Sequence, residues 1–279
     1  MSPTTAFGPP FDHDDADIIL RSSDQVDFLV HKIILSLSSP FFKSMFSLPQ
    51  PNESVSEKHH PIVVDMSEDR TTIEALLTFI YPPAVVSDAP EFDSLDKIMN
   101  ALEAAKKYEM AVASERLKQQ FVESRFVQDD PVTAFCAAHS RKSGDAARIA
   151  AVASLQYPMN LDNIADKLPL VDGVALHRLY KFHRACSAAA PQAIPSTKLF
   201  IEKDLIGLQR SDVMNRARKV LLEQPCPEAV TKDAFLELLY NQHVCDGCQK
   251  TLRGLLGFSR RLGEKVERII SEVRHNVFR

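Results

Sequence analysis

The spacing of apolar residues changes at Lys32, and this change constrains the fold more than any other feature of the sequence. Before it, apolar side chains come in two short β-type runs, Ala16–Asp24 and Val26–His31, the first closing on a polar turn. Alternating apolar and polar residues over so few positions are typical of half-buried strands, and two such runs predict a hairpin. After Lys32, apolar residues recur at intervals of three and four, which is typical of helices. The chain therefore predicts an α+β fold in which a β-hairpin leads into a series of helices.

One more strand and three further helices are expected before residue 127. The apolar run Ile62–Met66 predicts the strand, and Ser67 is a candidate N-cap for the helix that follows. Pro82 and Pro83 should end that helix, because proline cannot continue one. A helical face then spans Leu95–Tyr108, and a further helix is expected over about residues 111–126.

The remainder of the chain shows only helical patterns. We expect a flexible arm over residues 1–15, where prolines interrupt the chain, a mixed domain over 16–126 and an all-helical domain over 127–279. The helices of the last domain are expected at 130–142, 144–157, 173–189, 197–207, 211–223, 228–243 and 248–277.

Charge divides the chain in the same way. Residues 1–128 carry 20 acidic and 11 basic side chains, whereas residues 129–279 carry 17 and 22. Nucleic-acid binding rests on clustered Lys and Arg, so the acidic first part disfavours such a ligand.

The first residues do not have the pattern of a secretory signal, and no apolar run is long enough to span a bilayer. We expect no membrane association and a location in the cytoplasm, the nucleus or both.

A set of residues in the first half resembles the BTB/POZ domain. Asp17-Ile18-Ile19-Leu20 on the first strand is followed by Phe28-x-x-His31 at the end of the hairpin and by Ser39-Pro40-Phe41-Phe42 leading to Phe46. The resemblance continues with a helix that ends at Tyr81 and a later helix that ends at Tyr108. Many members have Thr-Gly after that first tyrosine, where this chain has Pro82-Pro83. The structural landmarks that the resemblance implies are Asp17, His31, Ser39, Phe42, Phe46, Tyr81 and Tyr108.

The resemblance implies a non-enzymatic protein–protein interaction module. BTB domains form homodimers, and some present a helical edge to a cullin scaffold as substrate adaptors of ubiquitin ligases. The whole chain is similar to BTB proteins common in fungi, in which a helical region follows the domain. Gly8-Pro9-Pro10 cannot form a long helix, which disfavours a dimer with swapped N-terminal helices. The helices at Ile33–Leu37 and Phe41–Phe46 are then the natural contact surface, unless the internal core uses the apolar residues of the second helix.

Two other functions compete with this interpretation. Asp17 and His31 could form a catalytic group with Ser36 or Ser39 as nucleophile, but no strained nucleophile turn or oxyanion hole accompanies them. The chain is therefore not expected to be an enzyme. The alternative is a BTB-containing transcription regulator that uses the basic C-terminal helix, which carries Arg260, Arg261 and Lys265.

Four side chains form a candidate structural zinc site, and no other cofactor is expected. Cys245-x-x-Cys248 brings two thiols onto a tight turn, and His183 and Cys186 lie three residues apart on one helix face. Together they would make a closed tetrahedral Cys₃His site, for which His243 is a competing ligand. The alternatives are reduced cysteines packed in the core and a redox pair, although the α/β setting of thioredoxin-like motifs is missing.

Overall fold

The computed structural model describes residues 4–48, 61–86, 90–159, 172–194, 210–240 and 249–278, although not the side chains of 210–211, 238–240 and 249–253. The chain divides into two compact units, Met1–Phe126 and Val127–Arg279. The boundary between them falls within one short helix, Arg125–Asp129.

A four-stranded sheet forms one layer of the first unit. Its strands are β1 (Thr5–Ala6), β2 (Ile18–Arg21), β3 (Val26–Val30) and β4 (Ile62–Asp65), in the order β1-β3-β2-β4. Strands β2 and β3 form the predicted antiparallel hairpin. Strand β1 pairs in parallel with β3, and β4 pairs in parallel with β2. Alternate residues of the hairpin are buried, namely Ile18, Leu20, Val26, Phe28 and Val30. This alternation shows why the sequence pattern identified the hairpin.

The predicted flexible arm over residues 1–15 is wrong for the part that the structure describes. The N–H of Thr5 donates to Gln25 O and that of Phe7 to Asp27 O, at 3.0 and 2.9 Å. The Phe7 ring stacks on Phe28 with centroids 4.4 Å apart, and Phe11 is buried. Prolines exclude a helix here, but an edge strand tolerates them nearby, and the aromatic rings hold the segment against the sheet.

Helices cover this sheet. They are α1 (Lys32–Ser38), α2 (Pro40–Ser47), α3 (Arg70–Ile80), α4 (Leu95–Lys107), α5 (Ala111–Glu123) and α6 (Arg125–Asp129). Asp69 caps α3 in place of the predicted Ser67, because its Oδ1 accepts a hydrogen bond from Thr72 N at 2.8 Å. The predicted helix over 111–126 breaks at Ser124, whose hydroxyl donates to Phe121 O at 2.7 Å. Such a local bond competes with the helical ladder.

The described part of the second unit is helical. Its elements are α7 (Pro131–Ser140), α8 (Gly144–Ser154), α9 (Gly173–Ala189), a 3-10 turn (Ala190–Ala193), α10 (Arg210–Glu223), α11 (Glu228–Thr231), α12 (Asp233–Tyr240) and α13 (Gln249–Val277). The predicted helix over 228–243 divides at Lys232, whose backbone is extended. The predicted helix over 197–207 lies outside the described residues.

Helix α13 packs against the second unit along an apolar stripe. Leu255, Leu262, Val266 and Ile270 are buried, and they recur at helical spacing. A Cβ placed on Gly263 would lie 2.7 Å from Thr231 Cγ2, so a larger residue at position 263 would require the Thr231 side chain to shift. The apolar face of this helix is therefore part of the core of its own unit.

Candidate protein-interaction site

Helices α1 and α2 expose an apolar surface in the first unit. Ile33 and Leu37 are 63% and 81% exposed, and Phe41 is 39% exposed. Ile33 and Leu37 are four residues apart and therefore share one side of α1, while Leu35 is buried beneath them. We call the side of α1 that carries Ile33 and Leu37 the α1 face; Phe41 is a further exposed apolar side chain, at the start of α2.

The internal core takes only part of the second helix. Phe42 is fully buried, whereas Met45 and Phe46 are half-buried and Phe41 stays exposed. The alternative in which the core uses all four side chains is therefore wrong, and an apolar contact surface remains. Leu37 is the most exposed of these apolar side chains.

Asp17 holds the start of α1 in place. Its Oδ1 accepts a hydrogen bond from the backbone N–H of Lys32 at 2.8 Å. The cap residue of this helix, His31, makes no side-chain capping bond of its own. A carboxylate from the start of β2 therefore satisfies one of the free N–H groups of the helix and ties the hairpin to the α1 face.

Tyr81 is the partner of His31. The Tyr81 hydroxyl accepts from the backbone N–H of His31 at 3.0 Å and lies 3.1 Å from the Nδ1 of the same residue. Because its oxygen accepts from the backbone, the hydroxyl can donate its proton to Nδ1, and Nε2–H then donates to Asp15 Oδ1 at 3.3 Å. Burial raises the pKa of Tyr81 to about 12, so this hydroxyl keeps its proton. A nearby aspartate and a distant tyrosine thus bind the two ring nitrogens of His31.

Ser39 joins the two helices of the site to the core. Its hydroxyl donates to the carbonyl oxygen of Tyr108, 69 residues further on, and accepts from Phe42 N at 3.1 Å as the N-cap of α2. The ring of Phe42 lies between those of Tyr108 and Phe46, with centroids 5.3 and 5.9 Å away. The position of α2 thus depends on one buried hydroxyl and one aromatic stack.

A charged group closes the other end of the Tyr108 side chain. The Tyr108 hydroxyl donates to the Glu68 carboxylate, and Lys107 Nζ donates to the same group at 2.8 Å. Burial acts to raise the pKa of Glu68, but the hydrogen bonds from Lys107 and Tyr108 outweigh it and hold that pKa below its usual value. This group locks the start of α3 to the end of α4.

The landmark side chains have structural partners. Asp17 binds the backbone of Lys32, His31 binds Tyr81 and Asp15, and Ser39 binds backbone groups. These three side chains therefore do not assemble into the Ser–His–Asp relay that a catalytic interpretation needs.

Two of the four predicted zinc ligands lie in the described part of the chain. His183 and Cys186 are buried on one face of α9, and His183 Nε2 lies 2.8 Å from Ser154 Oγ. Burial lowers the pKa of His183 to about 4 and raises that of Cys186 to about 12. Cys245, Cys248 and the competing His243 lie outside the described residues.

The described residues do not test the four-ligand set, because only one of its two pairs lies among them. Within the described residues no group of three or more His, Cys, Asp or Glu side chains is placed to hold a metal. The zinc site stays a prediction.

Some partners in the first unit are not visible in the sequence. Glu68 binds Lys107 and Tyr108 about 40 residues away. Asp15 belongs to the segment that the sequence assigns to an arm. A local pattern carries no signal for such long-range pairs.

Comparison with known proteins identifies the class of this unit. Residues 7–125 match the family model of the BTB/POZ domain. The first unit is thus a BTB/POZ domain, a protein-interaction module, and a helical region follows it.

Part of this chain is similar to Kelch-like protein 28 of Homo sapiens. It is 33% identical to this chain over 91 residues, which are 33% of this chain and 15% of that protein. The chain thus matches only a small part of its relative. The similarity to BTB proteins common in fungi stays a prediction. In the described part of the chain, no helix combines the length and apolar character needed to cross a membrane.

Proposed function

We propose that this chain is a non-enzymatic scaffold that forms a symmetric homodimer through the α1 face. The observation that carries the proposal is the exposure of Ile33 and Leu37 on one side of a helix that Asp17 and Ser39 hold in place. Large apolar side chains grouped on one surface mark interaction sites. The helical second unit then presents surfaces to further partners.

The N-terminal strand supports this mode of dimerisation. Strand β1 pairs in parallel with β3 of its own chain, in the register Thr5 with Val26 and Ala6 with Asp27. A segment used in this way is not available for exchange between protomers. The α1 face, in contrast, is open and can meet its own copy across a two-fold axis.

Burial of Leu37 should contribute substantially to the free energy of dimerisation. Full burial of a leucine side chain contributes about 1.5–3 kcal/mol, so burial of the 81% that is exposed contributes about 1.2–2.4 kcal/mol. A symmetric interface uses this residue twice. Leu37→Ala should therefore raise the dimer dissociation constant by about 50-fold to about 3,000-fold.

Sedimentation equilibrium of the full chain tests the proposal. The wild type should form dimers, Leu37→Ala should shift the equilibrium towards monomers, and the control Val112→Ala should behave as wild type. Val112 is a matched control because it is 54% exposed on α5 of the same domain. A wild-type chain that stays monomeric, or equal effects of both variants, would reject the dimer.

A finer version of the proposal is a substrate adaptor for a cullin-type ubiquitin ligase. The resemblance supports it, because some BTB domains present a helical edge to a cullin. Val112 and Val122 are exposed along α5 and provide such an edge. A pull-down with a cullin N-terminal region should capture the wild type and lose Val112→Asp. If it captures neither, the adaptor role is rejected and the scaffold role remains.

The alternative is a transcription regulator that uses the basic C-terminal helix. Arg260 Nε lies 3.3 Å from Glu264 Oε1 in an exposed pair, which contributes little stability and neither supports nor excludes a contact with phosphates. Binding to duplex DNA over a salt series tests this role, since phosphate contacts make affinity depend steeply on salt.

A further inference from the structure

A small cavity with a basic lining lies in the second unit. It has a volume of about 240 Å³ and is formed by the end of α7, the start of α8, one side of α9 and the end of α13. Its charged or titratable lining residues are His139, Lys142, Arg148 and Arg178, and no carboxylate is among the described lining residues. Phe278 and two alanines provide an apolar wall. Three positive side chains from separate elements, each of them exposed, thus converge on one partly open cavity.

Arg178 keeps its positive charge unmatched in this cavity. Its guanidinium donates from Nη1 to His139 Nε2 at 3.2 Å. The other ring nitrogen of His139, Nδ1, is buried without a hydrogen-bond partner among the described residues, and it lies 3.7 Å from Asp172 Oδ2. The Nε2 atom of His139 therefore orients the Arg178 guanidinium. The guanidinium is oriented but not neutralised by direct contact with a carboxylate.

The other two cations are available to a ligand. Arg148 Nη1 pairs with Asp145 Oδ1 at 2.9 Å within α8, and both side chains are largely exposed. Exposed pairs of this kind contribute little stability, so Arg148 can turn to a stronger anion at small cost. Lys142 lies two residues after the end of α7 in the left-handed conformation, with φ 55°, and its side chain is exposed at the cavity.

The start of α8 adds neutral donors to the same cavity. Ser143, the N-cap residue, makes no side-chain capping bond, and Gly144 follows it without a Cβ. Both residues line the cavity. An anion there would meet the Ser143 hydroxyl and the N–H groups of the first helical turn beside the three cations.

We propose that this cavity binds a phosphate group. Three converging cations match a dianion better than a single carboxylate, and the planar forks of two arginines fit phosphate oxygens. The cavity is smaller than the about 300–1,000 Å³ typical of drug-sized ligands, which favours one phosphate group over a whole nucleotide. The phosphate can belong to a small phosphate ester or to a phosphorylated residue of a peptide.

Calorimetric titration of the full chain tests the site. Inorganic phosphate should bind the wild type, and Arg148→Gln and Arg178→Gln should each weaken binding about tenfold, because each removes charge-assisted hydrogen bonds. Arg184→Gln is the matched control, since Arg184 is exposed on α9 and does not line the cavity. Lys142→Gln, a change at an exposed side chain of the same cavity, should also weaken phosphate binding.

Two peptide titrations distinguish the sources of the phosphate. A phosphoserine peptide that binds more tightly than inorganic phosphate, while its unphosphorylated twin does not bind, assigns the site to a phosphorylated partner. Equal affinity for the phosphopeptide and inorganic phosphate assigns it to a small ester. The proposal is overturned if the wild type binds neither probe, or if Arg184→Gln weakens binding as much as the cavity variants do.

Discussion

Removal of the Ser39 hydroxyl tests how the interaction site is held to the domain. Ser39→Ala removes the N-cap of α2, at a cost of about 1 kcal/mol, and leaves the buried carbonyl of Tyr108 without its donor, at a cost of about 1–3 kcal/mol. The expected loss is therefore about 2–4 kcal/mol, which is a large share of the stability of a single domain.

Native-state hydrogen exchange of the full chain measures this loss locally. For exchange that requires opening of the first unit, peptides from α2 and α4 should lose protection by about 30-fold to about 900-fold. Ser47→Ala is the matched control, because its hydroxyl donates to Ser44 O within the exposed part of the same helix. If Ser39→Ala changes protection by less than about threefold, or no more than Ser47→Ala, the assigned role of this hydroxyl is incorrect.

Three further substitutions have defined outcomes. Tyr81→Phe removes the hydroxyl that binds the N–H and Nδ1 of His31 and should destabilise the first unit by about 1–3 kcal/mol in the same exchange experiment. For His183, burial lowers the pKa to about 4, so the unfolded chain binds its proton more readily. Stability should then fall by up to about 3 kcal/mol as pH drops from about 6.5 to 4. In His183→Gln, the urea midpoint should lose this part of its pH dependence. Phe7→Ala removes the ring stacked on Phe28 and should cost about 1–2 kcal/mol, seen as faster exchange in residues 4–12.

Control variants and contradicting results can be stated for these three substitutions. Tyr81→Phe should cost more than Tyr180→Phe on an exposed part of α9, and equal costs would remove the assigned role of the hydroxyl. His177→Gln, on the same helix but exposed, should keep the wild-type pH dependence. A wild-type exchange rate for residues 4–12 in Phe7→Ala would show that the ring does not hold the segment.

Local patterns predicted the elements that carry strong periodicity. The hairpin was visible because alternate residues from Ile18 to Val30 face the core. Helix α9 begins and ends where the sequence indicates, since Asp172 caps it by accepting hydrogen bonds from Val174 N and Ala175 N. In both cases the signal and its physical cause lie within a few residues of each other.

Features that depend on distant partners could not be predicted in this way. The first strand forms only because β3 offers an open edge and Phe28 offers a ring to stack on. The α3 cap moves to Asp69 because Ser67 and Glu68 are engaged with Lys107.

The basic cavity of the second unit is also a product of tertiary structure. Lys142, Arg148 and Arg178 come from separate elements, and the surplus of basic residues in this half indicates only the sign of the charge. Similarly, the resemblance to a BTB domain named Tyr81 as a landmark, but only the structure shows that its hydroxyl holds His31.

Solvent access at position 37 tests the proposed dimer most directly. In the Leu37→Cys variant, the rate at which a thiol reagent modifies the new cysteine is measured at increasing protein concentration. The rate for the wild type is subtracted, and Val112→Cys is the control. If the α1 face is the dimer contact, the modification rate at position 37 should fall as the protein dimerises, while the rate at position 112 stays constant. A rate at position 37 that does not change through the dimerisation range would contradict the account.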